Sequence, residues 1–312
     1  MQKKIVYLFL IFSFISVLVS GCIKETNEGR ILYVDSEHYT SIQDAIDAAS
    51  TNDTIIVSQG TYYETIIIEK SIKLIAAEPN KTILTAIEQN QGQPYIIQIK
   101  TKGCTIQGFT IRGNYPRTNA SGITIFYSNN TITQNNISNT SYGIYIETDS
   151  ENNSVSFNTV TNSQHGIFVS ASYNDVFDNW MSNNVYGIYM RHCFLNSIFL
   201  NHISGNNWGI RLKGATYNQI YQNQIQNNVE GVYSCCGAMK NTLYKNNFVN
   251  NSENAYDDDT SNLFSNGIGN YWSDYLVKYP TAQAEDNVWD VPYSIPGGDN
   301  VDRYPVVVPF SI

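Results

Sequence analysis

The sequence predicts an all-β chain wound as a right-handed, single-stranded parallel β-helix of about 22 residues per coil, and three observations carry that prediction. First, one pattern is written six times between Gly122 and about Asn250. Its copies open at Gly122, Gly143, Gly166, Gly187, Gly209 and Gly231, with steps of 21, 23, 21, 22 and 22 residues. Second, two asparagine series keep the same register: Asn130, Asn153, Asn174, Asn196, Asn218 and Asn241, then Asn135, Asn158, Asn179, Asn201, Asn223 and Asn246. Third, apolar residues within a copy sit two apart, as in Ile144 and Ile146, or five apart, as in Ile220 and Ile225. Two is the strand period, and no copy holds a period of 3.6. A fixed repeat of this length marks a solenoid.

Each copy therefore makes about three short strands, and its apolar side is buried only when another coil stacks on it at roughly 4.8 Å. The five-residue spacing places a corner at the second asparagine, because Asn tolerates left-handed backbone angles. Asparagines of one column are expected to bond to one another along the axis, as stacked amides do.

Taken in order, residues 1–22 read as an export signal: Lys3 and Lys4, an apolar run from Ile5 to Val19, then Ser20-Gly21-Cys22. Val19-Ser20-Gly21-Cys22 has the form of a lipobox, which makes Cys22 the lipidated N-terminus of the mature chain. The rival reading is an uncleaved anchor helix. Both place the protein on the outer side of the cytoplasmic membrane, at the cell surface or in a periplasm. A single acyl chain holds weakly, so a diacyl-type anchor is expected. Residues 23–30 form a polar tether. Strands are expected at 31–34, 54–57, 65–68, 71–75, 82–84 and 95–99, with a turn at Gln59-Gly60-Thr61-Tyr62 and another coil over 105–111. Between the first two strands, residues 39–49 predict an amphipathic helix with Ile42, Ala45, Ile46 and Ala49 on one face and Thr40 or Ser41 as N-cap. That helix covers the open end of the stack. The β-helix is expected over 31–265, with regular repeats over 122–250. The tail, 266–312, holds five of the eight prolines and is expected to cap the far end, whereas residues 117–279 hold none, as ladder strands require.

Composition narrows the function. The net charge is −9 and charged residues are sparse, with no basic run beyond Lys3-Lys4, so no nucleic-acid partner is expected. The position two after each repeat glycine reads Thr124, Tyr145, Phe168, Tyr189, Arg211, Tyr233. Lying between inward apolar residues, it should point outward and form an aromatic stripe suited to sugar rings, with Arg211 reaching hydroxyls. The plainer reading is that stacked rings stabilise neighbouring coils. The column before each glycine (Tyr142, His165, Tyr186, Trp208) shares parity with the isoleucines and is read as corner or core filler. A second candidate is a soft-ligand set for Cu(I): Met190, His192 and Cys193 in one coil, Cys235, Cys236 and Met239 two coils later. Two coils are about 9.6 Å apart, too far for one shared metal, and a vicinal Cys235–Cys236 disulfide is the alternative. A third candidate, glycan cleavage, needs paired carboxylates. The column four after glycine offers Glu147, Arg191 and Lys213 without a pair, and Asp175 and Asp178 point to different faces, so no catalytic residue is assigned.

The stretch from Ser41 to Tyr62, the 22-residue array, Gly269-Asn-Tyr-Trp-Ser-Asp-Tyr275 and Pro292-Tyr293 through Asp302-Arg-Tyr-Pro305 together resemble the NosD-like family. The resemblance implies a pectate-lyase-like solenoid, export, a carbohydrate-binding and sugar-hydrolysis type of repeat, and kinship with periplasmic accessory proteins of copper delivery to nitrous oxide reductase. Many members carry an acidic run where this chain has Ala284 to Asp290, so calcium is not expected there. The reading that follows is an exported cell-envelope lipoprotein that binds a polysaccharide or surface glycoprotein without catalysis. The alternatives are a copper-binding accessory protein partnered with a copper enzyme system, and a polysaccharide lyase or glycoside hydrolase.

Overall fold

The computed structural model of the protein describes residues 29–85, 95–117 and 119–312. The export signal with Cys22, and the tether up to residue 28, lie outside the described residues. Three parallel sheets of ten, nine and ten strands enclose one apolar bore. Each coil visits them in turn; Ser154–Ser156 lies in sheet A, Thr159–Thr161 in sheet B and His165–Val169 in sheet C. Equivalent positions pair from coil to coil, as Tyr145 with Phe168 and then Phe168 with Tyr189. The central residue of each short strand points inward, so sheet A contributes Val155, Val176, Ile198 and Ile220, all fully buried.

The corners depart from expectation. The residue with positive φ is the one before each ladder asparagine, not the asparagine itself: Phe157 (56°), Asp178 (52°) and Leu200 (56°) at one corner, Tyr173 (59°), Leu195 (54°) and Tyr217 (56°) at another. The reason is that the ladder asparagine has another task. The backbone N–H and Nδ2 of Asn179 both donate to Asn201 Oδ1 at 3.1 Å. Asn201 Nδ2 in turn donates to Val176 O (2.8 Å), Phe199 O (3.0 Å) and Asn223 Oδ1 (3.0 Å). Its buried side chain thus satisfies carbonyls that the turning backbone strands. A third ladder, not read from the sequence, runs Ser163, Asn184, Asn206, Asn228 and Asn251.

Every rung passes its backbone N–H to the following coil, so each ladder must end on an acceptor. All three end on a carboxylate. Asn262 donates to Asp257 (2.9 Å), Asn270 donates its backbone N–H to Asp302 (2.6 Å), and Asn251 donates through Asn254 to Asp274 (2.7 Å).

At the N-terminal end the helix Ile42–Ala48 buries Ile42, Ala45 and Ile46 over the bore. Ser41 caps it, and the Glu64 carboxylate accepts the N–H groups of Ile42 and Gln43 at 3.0 Å. Gly60–Tyr63, expected as a turn, is a strand of sheet B paired with Thr82–Thr85, because the first coil also needs a third wall. At the other end Trp272 stacks between Phe248 (4.3 Å) and Tyr293 (4.1 Å) and donates its N–H to Asp302 (2.9 Å), which closes the bore. No helix among the described residues is long and apolar enough to cross a membrane.

The ladders make stability testable in two ways. Asn201→Ala orphans several buried groups and should cost about 3–5 kcal/mol in urea unfolding, whereas Asn227→Gly at an exposed left-handed corner (φ 54°) should cost less than about 1 kcal/mol. Burial pushes the Asp302 carboxyl up to about 6 against the lowering effect of the N–H groups that donate to it. The folded state therefore holds this proton more tightly than the unfolded chain, and stability falls as pH rises between about 4 and 6. The stability of the native protein relative to Asp302→Asn should drop by on the order of 2–3 kcal/mol from pH 4 to pH 7. A difference that stays level or grows would mean that the accepted hydrogen bonds outweigh burial.

Candidate functional site

Sheet C carries the longest strands, and its outer face holds most of the residues singled out from the sequence. The repeat glycines shape that face. A Cβ on Gly187 would lie 2.5 Å from Gly209 O, and one on Gly209 would lie 2.5 Å from Gly231 O, so the coils approach there as only glycine allows. Glycine and the following isoleucine are both buried, which breaks the alternation. The residue before glycine is thereby turned outward. Tyr142, His165, Tyr186 and Trp208 are not core filler, as their parity suggested, but an outer column beside the predicted stripe.

Rings of that column stack on one another, with centroids 4.7, 4.9 and 4.8 Å apart and interplanar angles of 12°, 11° and 14°. The coil spacing imposes this distance. Tyr145 and Tyr189 lie roughly parallel to their neighbours in that column, and Phe168, only 4% exposed, stands edge-on between them. Ring faces are therefore largely turned toward other rings, while ring edges line the surface. Burial pushes the Tyr145 hydroxyl up to about 12 and raises Tyr142 and Tyr186 as well. His165 is neutral, pushed down to about 4 by burial, with Nδ1 3.3 Å from Ser141 O.

Toward the C-terminal end of the face the aromatics give way to charge. The Arg211 guanidinium lies 4.7 Å from the Tyr233 ring centroid, 5.7 Å from Trp208 and 5.9 Å from Tyr189. Arg191 pairs in register with Lys213, and Lys213 with Cys235. Glu230 follows Trp208 and precedes Glu253 in the outer column. Burial raises the Glu230 carboxyl, and the indole of Trp208 opposes that rise. Even so, Trp208 Nε1 and Glu230 Oε2 are buried without a completed hydrogen bond. Two further aromatic ladders escaped the sequence reading. Phe177, Phe199, Tyr221 and Tyr244 stack on sheet A at 4.9, 5.0 and 5.2 Å, each three residues after a ladder asparagine, and Trp180 stacks on His202 at 4.0 Å on sheet B. The three-residue offset was the signal that would have found the first of these.

The soft-ligand set does not come together. Met190 and Cys193 point into the bore, and burial pushes the Cys193 thiol up to about 12. His192 is exposed at a left-handed corner (φ 50°). Cys235 is buried beside Arg211, whose Nη2 donates to its sulfur at 3.6 Å, while Cys236 is exposed. Both are free thiols, so the vicinal disulfide is not formed. Met190 and Cys193 face inward while His192 and Cys236 face solvent, and among the described residues no group of three His, Cys, Asp or Glu side chains converges on a metal position. Asp175 is exposed on sheet A and Asp178 sits at the corner after it, with no paired carboxylate between them. Asp257 and Asp302, both fully buried, are taken up by the ladder ends.

Among solved structures, the chain is similar to the enzymatically active domain of bacteriophage CBA120 tailspike protein 2 (12% identity, TM-score 0.62), covering 78% of this chain and 42% of that one. It is similar to DFA-IIIase from Arthrobacter chlorophenolicus A6, solved in complex with DFA-III (11% identity, TM-score 0.58, 78% and 74% covered). ORF18 of Geobacillus virus E2 gives 13% identity and a TM-score of 0.50 over 77% and 60%. The chain thus spans less than half of the tailspike fragment, and at these identities the likeness is one of fold. No curated protein matches the sequence. The family model described as periplasmic copper-binding protein (NosD) matches residues 46–277, well over half of the 312 residues, and the chain belongs to that family.

Proposed function

We propose that this protein is an exported β-helix protein that binds carbohydrate along the outer face of sheet C, with Tyr145, Tyr189, Arg211 and Tyr233 as the centre of the contact surface and the buried Phe168 ring holding the two tyrosines apart. One observation carries the reading: ring edges, cations and unsatisfied polar atoms are gathered on a single face several coils long. Because the ring faces are turned toward each other, recognition works through tyrosine hydroxyls and Arg211 at the ring edges more than through sugars stacked on rings. Export is supported by the periplasmic description of the family. The lipid anchor at Cys22 rests on the sequence alone.

The family description also favours a copper-binding reading, but the donor set of this chain fits it poorly. Its softest ligands, Met190 and Cys193, face the bore, and His192 and Cys236 are exposed at corners of different coils. No step of the proposed function runs through copper.

Two measurements test these readings. On a glycan array, Tyr145→Ala/Tyr189→Ala should bind at least tenfold more weakly than the native protein. Lost ring stacking should cost about 1–3 kcal/mol of stability, so binding is read well below the melting temperature of both proteins. Equal affinity in the two would reject the sheet C surface. Reduced protein dialysed against a weak Cu(I) chelator should retain well under one copper per chain by elemental analysis. One full equivalent, lost in Cys235→Ser/Cys236→Ser, would make the copper reading the better one.

A further inference from the structure

The cationic end of the sheet C face points to a particular class of carbohydrate. The chain carries 27 acidic and 18 basic residues, yet Arg191, Arg211 and Lys213 project from two adjacent coils of one face. None of them takes part in the ion pairs formed among the described residues. Arg191 and Lys213 are direct cross-strand neighbours, and like charges in that position are destabilising unless an anion lies between them. Arg211 is held differently. Three aromatic rings surround its guanidinium, the Tyr189 hydroxyl supports its charge, and its hydrogen bond to the Cys235 sulfur is weak, so its planar fork has no carboxylate partner among the described residues. Such a fork matches a carboxylate with two parallel hydrogen bonds.

The second observation lies beside it. Among the described residues only three buried side-chain polar atoms lack a completed hydrogen bond, and two of them, Trp208 Nε1 and Glu230 Oε2, belong to cross-strand neighbours beside Arg211, with the indole close enough to favour the ionised carboxylate. They are a donor and an acceptor beside one another that do not close a full bond. A hydroxyl, which both donates and accepts, satisfies the pair, whereas a bare inorganic anion would be repelled by Glu230. The group that answers all of these features carries hydroxyls on one side and a carboxylate on the other.

We propose that this end of the face binds a uronic-acid polysaccharide. Sugar hydroxyls meet Trp208 and Glu230, a carboxylate meets Arg211, and the neighbouring residue of the same polymer places its carboxylate against Arg191 and Lys213. Arg211 and Lys213 lie two residues apart on one strand, about 7 Å, and Arg191 lies one coil, about 4.8 Å, from Lys213, so the polymer crosses this end of the face obliquely to the solenoid axis. This rests on the carbohydrate reading and narrows it to an acidic class.

The test uses the full protein and a panel of polyuronates (polygalacturonate, polymannuronate, polyguluronate), each with its carboxyl-reduced neutral counterpart, plus a sulfated galactan. Binding is read by affinity electrophoresis and calorimetry. At least one polyuronate should bind tenfold or more tightly than its reduced form, weaken with added salt, and bind more tightly than the sulfated polymer. Arg211→Gln should weaken that binding at least tenfold. The double variant Arg191→Gln/Lys213→Gln, which changes only outward-facing side chains and removes their mutual repulsion, should weaken it similarly with a melting temperature equal to or above that of the native protein. Equal binding of acidic and reduced polymers would overturn the acidic class while leaving the carbohydrate reading in place. Preference for the sulfated polymer would replace recognition of a carboxylate by bare charge and overturn the proposal. Failure of the whole panel would overturn it too, and neutral glycans on the array would then decide the carbohydrate reading separately.

Discussion

Satisfying the backbone at the corners is the constraint on which this fold depends. A coil that turns sharply cannot use its own strands to pair every N–H and C=O, and the corners are buried under the next coil. An unpaired buried peptide group costs several times what a typical hydrogen bond returns. Asparagine solves this because its short amide both donates and accepts at the right reach. Each rung accepts from the coil before it and donates to carbonyls that would otherwise be stranded, as Asn201 does toward Val176 and Phe199. A residue that only accepts would break the chain in the middle and is suited only to its end. That is where Asp257, Asp274 and Asp302 stand. The ladders also explain how left-handed angles at Leu195, Leu200 and Phe157 persist, at roughly 1–2 kcal/mol each. The neighbouring asparagine fixes the corner, so the residue before it must adopt whatever angle closes the turn.

The same spacing governs the outer surface. Coils repeat at the distance at which aromatic rings stack, so any aromatic column becomes a pile of parallel rings. Sheets A and C both show it, with rings 4.7–5.2 Å apart. Stacking strengthens the solenoid and at the same time hides ring faces, which changes what an aromatic stripe on such a fold recognises. An isolated tyrosine offers a flat face to a sugar; a stacked tyrosine offers an edge and a hydroxyl. In the proposed function, recognition on this surface is then decided by polar groups between and beside the rings.

The period, the sheet number and the inward isoleucines were legible because each is a strictly local pattern repeated six times. The capping helix was legible from Ile42, Ala45 and Ile46 at helical spacing with Ser41 before them. The corner conformation was not, because the sequence shows which residue recurs and not which of two neighbours turns. Propensity points to Asn201 as the left-handed residue, yet Leu200 takes that angle. A leucine is among the last residues to be chosen for it, and only the ladder bonds of Asn201 explain the outcome. The outward turn of Tyr142 and Trp208 was hidden for a related reason. Strict alternation was assumed through glycine, whereas the close approach at Gly143 and Gly209 places two successive residues inside. Side-chain convergence was the least legible. Spacing brought Met190, His192 and Cys193 together on paper, but the left-handed corner at His192 turns its imidazole outward while Met190 and Cys193 stay in the bore.

What distinguishes the sheet C face is where the molecule's general rule lapses. Along three ladders almost every buried donor meets an acceptor, to the extent that a carboxylate stands at the end of each. Against that background, a neighbouring indole N–H and carboxylate oxygen that do not close a full hydrogen bond, next to a guanidinium held by rings and two neighbouring cations, are not expected from packing alone. Local departures from an otherwise consistent structure concentrate where a protein meets something else. Stability alone would be better served by a glutamate opposite Lys213 and by an apolar residue in place of Glu230. The chain has neither, and its acidic residues are plentiful enough that a partner for Lys213 would be simple to supply. The partner missing from the chain is therefore the property that most narrowly describes the proposed ligand: an extended polymer bearing hydroxyls and negative charge.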